Sequence, residues 1–338
     1  METGHPYFSI VMPAYNAGRY VGEALRSIAA QTFGDYEIVA VDDGSTDDTL
    51  RLLLEYAERE PRLRVLAMEK ASGSAFMPRN RAMAEAIGEY VVWIDADDYV
   101  DPELLEKIRR RIEETDADIV YNRMIWVDHG RETRRLPADD VDTSRVYAGR
   151  EMVAMTLLDW HVGTGGCAIR RSMALATLAK RGTSLQAMNA DEIFTRYFLL
   201  EAGKVAFTDA RYHYRMSGTS VTHAVRPSYF DRLETNRLLR EMMKEEYGED
   251  SRECRLARLQ EYYQWMDYCI DYAGRQKVGK DIKKEVRKRL RESLRHIDMD
   301  VVAEESGVMK RWLLSAGLPV FFGWLRVRDR IMGILTIE

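Results

Sequence analysis

The sequence predicts an α/β fold: a mostly parallel β-sheet with flanking helices, followed by a C-terminal helical extension. Over the first hundred residues, short apolar runs typical of buried strands alternate with helical apolar patterns. This alternation favours right-handed crossovers between parallel strands. Beyond Pro227 the strand-like runs stop, and long charged stretches with helical periodicity replace them. We therefore predict two domains, residues 1–224 and residues 225–338.

Composition argues against several classes of protein. The chain has 338 residues, of which 46% are hydrophobic, so a sizeable core can form. Its formal net charge of −5 argues against a general nucleic-acid binder. The three cysteines lack metal-ligand spacing, which fits a reducing compartment. There is no signal-peptide pattern and no apolar run of about 20 residues, so we expect a cytoplasmic protein.

The first two predicted strands both end in polar loops. Residues 8–12 form an apolar run that Pro13 closes. Residues 36–41 form the second run, which continues into VDDGSTDDT, where Asp47 or Thr46 can cap the next helix. The helices after the first three strands are predicted at residues 20–30, 50–57 and 78–87.

The fourth strand carries the most informative ending. A third strand is predicted over residues 63–68 and the fourth over residues 90–94, which stops at Asp95, Asp97 and Asp98. Carboxylates crowded at the end of a buried strand repel one another unless a cation or donor groups meet them. The pattern therefore indicates a divalent metal or phosphate site, with a solvated acidic turn as the alternative.

Topology favours the functional interpretation of these acids. Parallel strands bring their carboxyl ends to one edge of the sheet, where open α/β sheets bind ligands. Residues 13–16, 42–45 and 95–98 should therefore lie along one crevice. Two strands that both end in paired acids at this edge predict a ligand site there.

The middle of the chain adds three candidates. After a strand at residues 117–122, the polar residues 129–150 are predicted to be an irregular surface segment. Glycines within residues 160–169 suggest backbone lying close to a ligand. Asp191 opens a helix, either as a capping or first-turn acid or as a general base. His213 is either a hydrogen-bonded structural residue or a ligand.

The C-terminal third has a different character. Short strands over residues 205–215 are followed by predicted helices at residues 229–247 and 254–272. Residues 275–295 are strongly basic, which is most often a solvated helix face. The tail from Trp312 mixes aromatic residues with cations. Such a tail lies in a membrane interface, docks onto a partner, or packs on its own domain.

Four motifs, in this order, resemble family 2 glycosyltransferases of the GT-A fold, a Rossmann-like α/β architecture. The resemblance covers roughly the first 220 residues. The motifs are FSIVMPAYN at 8–16, YEIVAVDDGSTDDT at 36–49, Arg79-Asn80 ahead of Gly88-Glu89-Tyr90, and Asp95-Ala96-Asp97-Asp98.

The resemblance implies roles for these residues. Members of the family move a sugar from a nucleotide diphosphate to a hydroxyl with inversion, usually with Mn²⁺ or Mg²⁺. By position, Tyr15 would stack on the base, Asp43 would hydrogen-bond a uracil-type base, and Asp97 would bind the metal. Asp98 would help through water or by placing the loop. The substrate-binding residues implied are Pro13, Tyr15, Asn16, Asp43, Arg79 (near the base or the phosphates), Asp95 (facing the ribose or sugar) and Asp97.

The resemblance also implies a catalytic base. In the family this is an acid that opens a helix after a glycine-containing segment, and Asp191 in NADEIF is similar to it. The residue before the base is often Glu, whereas here it is Ala190, so Glu192 is the alternative.

Together these features predict an inverting, metal-dependent glycosyltransferase of polysaccharide or glycan biosynthesis. We expect a UDP-sugar donor, a saccharide or lipid-linked acceptor, and peripheral attachment to the inner face of the membrane through the C-terminal tail. The long helices could also pair between subunits in a homo-oligomer. The alternatives are a sugar nucleotidyltransferase, which usually has a Gly-rich basic loop where this chain has PAYNAG, and a catalytically inactive nucleotide-binding module. A phosphatase with an aspartyl nucleophile fits less well, because the first strand ends in Pro-Ala-Tyr-Asn.

Overall fold

The structure, a computed structural model, describes residues 4–139, 141–158, 162–182, 190–216, 232–274 and 280–335. These residues divide into two compact units. The first contains the described residues up to position 216, and the second contains those from Arg232 onward. The predicted boundary between residues 224 and 225 lies outside the described residues and stays a prediction.

The first unit is built on a mixed, mostly parallel sheet. Its strands in the described residues are β1 Phe8–Ala14, β2 Tyr36–Asp42, β3 Leu63–Ala67, β4 Tyr90–Trp93, β5 Tyr99–Val100, β6 Ile119–Asp128, β7 Arg131–Leu136, β8 Ala168–Arg170 and β9 Val205–Arg215. They are ordered β3-β2-β1-β4-β8-β6-β9-β5, with β7 beside β6. The predicted parallel half is present, since β1 pairs in parallel with β2 and β4, and β2 with β3.

The helices of the first unit accompany these strands. They are α1 Val21–Ala29, α2 Thr49–Ala57, α3 Phe76–Glu85, α4 Leu104–Thr115, α5 Gly149–Met155, α6 Arg171–Arg181 and α7 Ala190–Glu201. All seven residues of β1 are buried, as expected for a strand covered on both faces. The apolar residues of α1 are buried at the predicted helical spacing, and each larger one contributes about 1.5–3 kcal/mol by leaving water.

Two segments differ from the sequence prediction. Part of the stretch 129–150, predicted to be irregular, forms β7, which pairs antiparallel with β6. Five of its six residues are exposed, so it lacks the apolar alternation that identifies a strand from sequence. The short strands predicted over residues 205–215 are one continuous strand, β9, held in parallel against β6. Both differences arise from pairing with β6, which residue patterns do not reveal.

The second unit consists of helices around an aromatic core. These helices are α8 Arg232–Tyr247, α9 Arg252–Gly274, α10 Lys280–Leu294, α11 Met299–Ser315 and α12 Leu318–Leu335. Trp265 of α9 is fully buried, donates its indole N–H to the Leu290 carbonyl at 3.0 Å, and lies 5.6 Å from the Phe321 ring. Much of the tail therefore packs within its own unit, whereas Trp312 stays 63% exposed. Among the described helices, none is both long and apolar enough to cross a bilayer.

A buried carboxylate makes the stability of this unit depend on pH. Glu261 is 3% exposed and accepts from Arg240 at 2.8 Å, yet burial raises its pKa to about 7, an effect that Arg240 only partly opposes. Between pH 4.5 and 7 the folded state therefore keeps a proton that the unfolded state has released. The contribution of this group to the unfolding free energy is therefore fully present below pH 4.5 and is lost as the pH rises from 4.5 to about 7.

We expect Glu261→Gln to remove this pH dependence. Relative to the wild type, the variant should gain unfolding free energy between pH 4.5 and 7, by about 3 kcal/mol at most. Urea unfolding of both proteins at pH 5 and pH 8, followed by circular dichroism, measures the difference. A difference that does not change with pH would contradict the raised pKa.

Candidate active site

The loops after β1 and β2 are joined by hydrogen bonds. Asn16 has a left-handed φ of 49°, and its side-chain oxygen accepts the Thr46 N–H at 2.8 Å. The Asn16 N–H donates to the Ser45 hydroxyl at 3.0 Å. Neither predicted residue occupies the N-cap of α2, which is Asp48 with no side-chain capping bond, although Asp47 accepts the Thr49 N–H at 3.0 Å. These contacts fix one wall of the predicted crevice.

The other predicted base-binding residues adjoin this wall. Pro13 is buried within β1, and Tyr15 is 47% exposed directly after that strand. Asp43 is buried, and its two oxygens accept from the Ser72 N–H and the Ser72 hydroxyl, each at 2.9 Å. Burial raises the pKa of Asp43, while the two bonds from Ser72 oppose the rise. Asp43 thus holds the loop after β3, and each of its oxygens keeps a lone pair for a further donor.

Arg79 and Asp95 form an ion pair at the end of β4, in which Arg79 is buried and Asp95 is partly exposed. Nη2 of Arg79 lies 2.6 Å and 2.8 Å from the two oxygens of Asp95. Arg79 is 6% exposed, and its guanidinium lies 5.3 Å from the centre of the Trp93 ring. The sequence led us to expect Arg79 near the base or the phosphates. In the structure its direct partner is the first acid of the Asp95–Asp98 loop.

Asp191 reaches the same place from the first turn of α7. Burial would lower the pKa of Arg79, but the carboxylates of Asp95 and Asp191 raise it, and the net shift is upward. Asp191 therefore lies within electrostatic reach of the ion pair. Glu192, the alternative base, instead faces the fully buried Arg196, with 3.7 Å between the charged groups. The two adjacent acids thus have different surroundings, and of the two it is Asp191 whose charge contributes to raising the pKa of Arg79.

Asp97 is the available carboxylate of the Asp95–Asp98 loop. Burial first, and then the neighbouring Asp95, raise its pKa to about 6. Among the described residues, no other residue donates a hydrogen bond to its side chain. The described residues also contain no cluster of three or more His, Cys, Asp or Glu able to hold a metal unaided. This donor set fits Mg²⁺ or Mn²⁺, which proteins often hold with one or two carboxylates plus substrate phosphates.

Asp98 positions the loop and is itself almost completely buried. One of its oxygens accepts from the Tyr212 hydroxyl at 2.5 Å, and the other accepts the Arg215 N–H at 2.8 Å. The Tyr212 hydroxyl also accepts the Asp95 N–H at 3.2 Å, and Nε of Arg215 donates to the Asp97 carbonyl at 3.0 Å. Of the two roles implied for Asp98, the contacts match the placing of the loop. Burial, followed by Asp97 and Asp95, raises the pKa of Asp98 well above its usual range.

Sequence reasoning missed Tyr212 and Arg215. Both stand in the YHYR sequence at the end of β9, of which only His213 was a candidate. His213 proves to be hydrogen-bonded: its Nε2 lies 2.8 Å from an oxygen of Asp101, and its ring stacks on Tyr99 at 4.5 Å. This is the structural role that the sequence allowed.

The glycine-rich segment packs against protein side chains. A Cβ on Gly165 would lie 2.5 Å from the Tyr212 ring, and one on Gly166 would lie 2.7 Å from the amide nitrogen of Asn122. Close approach therefore explains these glycines without a ligand. Trp160 and His161, from the same predicted segment, lie outside the described residues.

We expect Tyr212→Phe to loosen the Asp95–Asp98 loop. The change leaves the buried Asp98 with one donor fewer, so the unfolding free energy should fall by about 1–3 kcal/mol. Nucleotide affinity in the presence of Mn²⁺ should fall as well. Tyr36→Phe is the matched control, because Tyr36 is a buried tyrosine bonded to the Ile28 carbonyl away from this loop. It should lower stability alone, and an equal loss of affinity in both variants would contradict a positioning role.

Comparison with known proteins identifies relatives of this chain. The sequence model of Glycosyl transferase family 2 matches residues 9–178, half of the chain. YibD of Escherichia coli K12, an uncharacterized glycosyltransferase, is 30% identical over 220 residues, which cover 63% of this chain and 62% of YibD. The poly(ribitol-phosphate) β-N-acetylglucosaminyltransferase TarS of Staphylococcus aureus is 39% identical over 123 residues, covering 36% of this chain and 21% of TarS. The chain thus spans less than two thirds of either relative.

Solved structures agree on the fold. The crystal structure of Staphylococcus aureus TarS residues 1–349 with UDP-GlcNAc superposes with a TM-score of 0.66 at 23% identity. The match covers 95% of this chain and 88% of the TarS chain. It confirms the predicted fold class, an α/β sheet with flanking helices followed by further helices.

Proposed function

Because the chain belongs to glycosyl transferase family 2, we propose that it transfers a sugar from a nucleotide diphosphate donor to a hydroxyl group with inversion. The single observation that carries the proposal is the grouping of acids around the buried Arg79. Asp95 pairs with Arg79 directly, and Asp97 and Asp191 lie within electrostatic reach of this pair. One free carboxylate to hold a metal and a second to take a proton are what this reaction requires.

The donor we propose is a UDP-sugar. TarS, which shares 39% identity with this chain over 123 residues, carries UDP-GlcNAc in its crystal structure. In this chain Tyr15 stacks on the base, and Asp43 accepts a hydrogen bond from it with the lone pairs that Ser72 leaves open. Pro13 and Asn16 hold the loop that carries Tyr15.

The metal we propose is Mn²⁺ or Mg²⁺, held by Asp97 together with oxygens of the donor diphosphate. When bound, it stabilises the negative charge that the leaving diphosphate gains. Asp95 differs from Asp97 in that Nη2 of Arg79 already balances its charge, so we assign the metal to Asp97. Asp95 instead orients Arg79 and faces the ribose or the sugar.

Asp191 is the base in this proposal. As the acceptor oxygen bonds to the anomeric carbon, its proton passes to a carboxylate oxygen of Asp191. The bond between that carbon and the diphosphate oxygen breaks, and the nucleoside diphosphate leaves with the electron pair. One displacement inverts the anomeric centre. Arg79 nearby limits the repulsion between the carboxylates that surround the reacting groups.

The acceptor we propose is a saccharide or a lipid-linked saccharide, within polysaccharide or glycan synthesis. TarS is named for transfer to poly(ribitol-phosphate). We place the protein at the cytoplasmic face of the membrane, held there by its second unit. A nucleotidyltransferase fits less well, because the loop PAYNAG after the first strand is not basic and Gly-rich. An inactive nucleotide-binding module fits less well, because each acid that the reaction requires is present.

Calorimetric titration with UDP tests this proposal. We expect UDP to bind the wild type more tightly with Mn²⁺ than without it. Binding of another nucleotide in place of UDP would overturn the assignment of Asp43. No binding of any nucleotide, with or without metal, would overturn the proposed activity as a whole.

A further inference from the structure

One face of α10 carries a stripe of cations. Lys284, Arg287, Lys288 and Arg291 occupy positions i, i+3, i+4 and i+7 on this face, and Arg295 continues the line directly after the helix. All five are exposed, and none has an ion pair with any described residue. At 1.5 Å per residue the stripe is about 17 Å long. The buried side chains of this helix, Val286 and Leu290, point the other way.

On the neighbouring helices α8 and α9, several arginines form ion pairs. On α8 and α9, Arg237, Arg240, Arg255 and Arg258 each lie within 3.0 Å of a Glu oxygen. The unit therefore supplies counter-charges to these four arginines, whereas the α10 stripe has none among the described residues. A continuous row of unpaired cations is attracted to an extended anionic surface.

The same unit exposes apolar side chains on α11. Val308, Met309 and Trp312 are 75%, 62% and 63% exposed, more than any other large hydrophobic residue described. They follow a break in the helix at Gly307, whose φ is 81°, and share one face of the segment that begins there. The opposite face buries Leu314, which is 2% exposed. Water-exposed tryptophan and aliphatic side chains on a short helix are typical of a segment that enters a membrane interface.

We propose that the α10 stripe and the Val308, Met309 and Trp312 face together dock the helical unit onto an anionic lipid bilayer. The cations meet lipid phosphates and carboxylates, and the apolar side chains enter the boundary between headgroups and acyl chains. A nucleic acid would use the cations and leave the apolar face in water. The inference rests on the proposed function in one respect, the lipid-linked acceptor.

Flotation with lipid vesicles tests this proposal on the full chain. Wild-type protein should bind phosphatidylserine–phosphatidylcholine vesicles and bind pure phosphatidylcholine vesicles weakly. Combining Lys284→Glu, Lys288→Glu and Arg291→Glu should weaken binding to the anionic vesicles at least about tenfold. Trp312→Ser should weaken it about tenfold as well, through loss of one buried aromatic side chain.

A matched control separates the stripe from net charge. Combining Arg59→Glu, Arg131→Glu and Arg252→Glu makes the same charge change at three scattered, exposed arginines with no ion pair to a described residue. This variant should keep binding, and equal losses in both triple variants would overturn the proposal. Equal binding of the wild type to both vesicle types would also overturn it. The same holds if light scattering shows that Trp312→Ser converts an oligomer to monomers while the variant still binds the vesicles. Titration of each variant with UDP measures nucleotide binding independently of vesicle binding. A failure of membrane docking can therefore be distinguished from a failure of the proposed activity.

Discussion

Asp97→Asn should abolish the effect of Mn²⁺ on UDP binding and lower the rate of sugar transfer at least about 100-fold. Asparagine keeps the shape of the side chain and removes the charge that holds the metal. No other described residue is bonded to this carboxylate, so the substitution breaks no contact within the protein. Calorimetry with and without Mn²⁺, together with release of UDP from a UDP-sugar, measures both effects.

The same variant should become more stable as it loses activity. The pKa of Asp97 is raised to about 6 by burial and by Asp95, so the folded state resists its ionisation. Stability is therefore lost as the pH rises from the ordinary aspartate value of 3.8 through 6, and removing the carboxyl should restore up to about 3 kcal/mol at pH 8.

Asp95→Asn, two residues away, is the matched control for stability. It removes the partner of the buried Arg79 and should destabilise the protein by about 3 kcal/mol. A loss of unfolding free energy in Asp95→Asn and a gain in Asp97→Asn would show that Asp95 stabilises the fold, whereas Asp97 costs stability and is available to bind a ligand. If Mn²⁺ still strengthens UDP binding to Asp97→Asn, the metal has another ligand.

The strand ends could be predicted from sequence because they depend on local patterns. The run that ends at Asp95 and the helix that begins near Asp191 each show their polar residues against an apolar background. The rule that parallel strands end at one edge then brings Asp43 and Asp95 together without knowledge of any side-chain contact.

The supports of the site could not be predicted in this way. Tyr212 bonds to Asp98 across 114 positions of sequence, and Arg215 reaches the Asp97 carbonyl across 118. Such pairs depend on the antiparallel pairing of the two-residue strand β5 with β9, in which Val100 lies opposite Tyr212, and side-chain patterns leave this register open. The partner of Arg79 was missed for the same reason. Its role was inferred from motif position, whereas its contact is set by how α3 faces the end of β4.

Asp191→Asn should lower kcat by about 100-fold to 10,000-fold while leaving UDP binding unchanged, with or without Mn²⁺. The side chain keeps its size but can no longer accept the proton of the acceptor hydroxyl. Because Asp191 contributes to the field at Arg79 without a direct bond to it, the loss should appear in kcat and leave donor affinity intact.

Glu192→Gln separates a catalytic base from a structural acid on the same helix turn. Glu192 lies 3.7 Å from the guanidinium of the buried Arg196, whose pKa burial lowers and Glu192 and Asp191 raise in part. Removing the Glu192 charge should therefore destabilise the region around Arg196, with a smaller effect on kcat than Asp191→Asn. Steady-state kinetics and urea unfolding of both variants compare the two roles. A larger fall in kcat for Glu192→Gln than for Asp191→Asn would show that Glu192 is the base. The catalytic carboxylate would then come from the residue after Asp191 on α7.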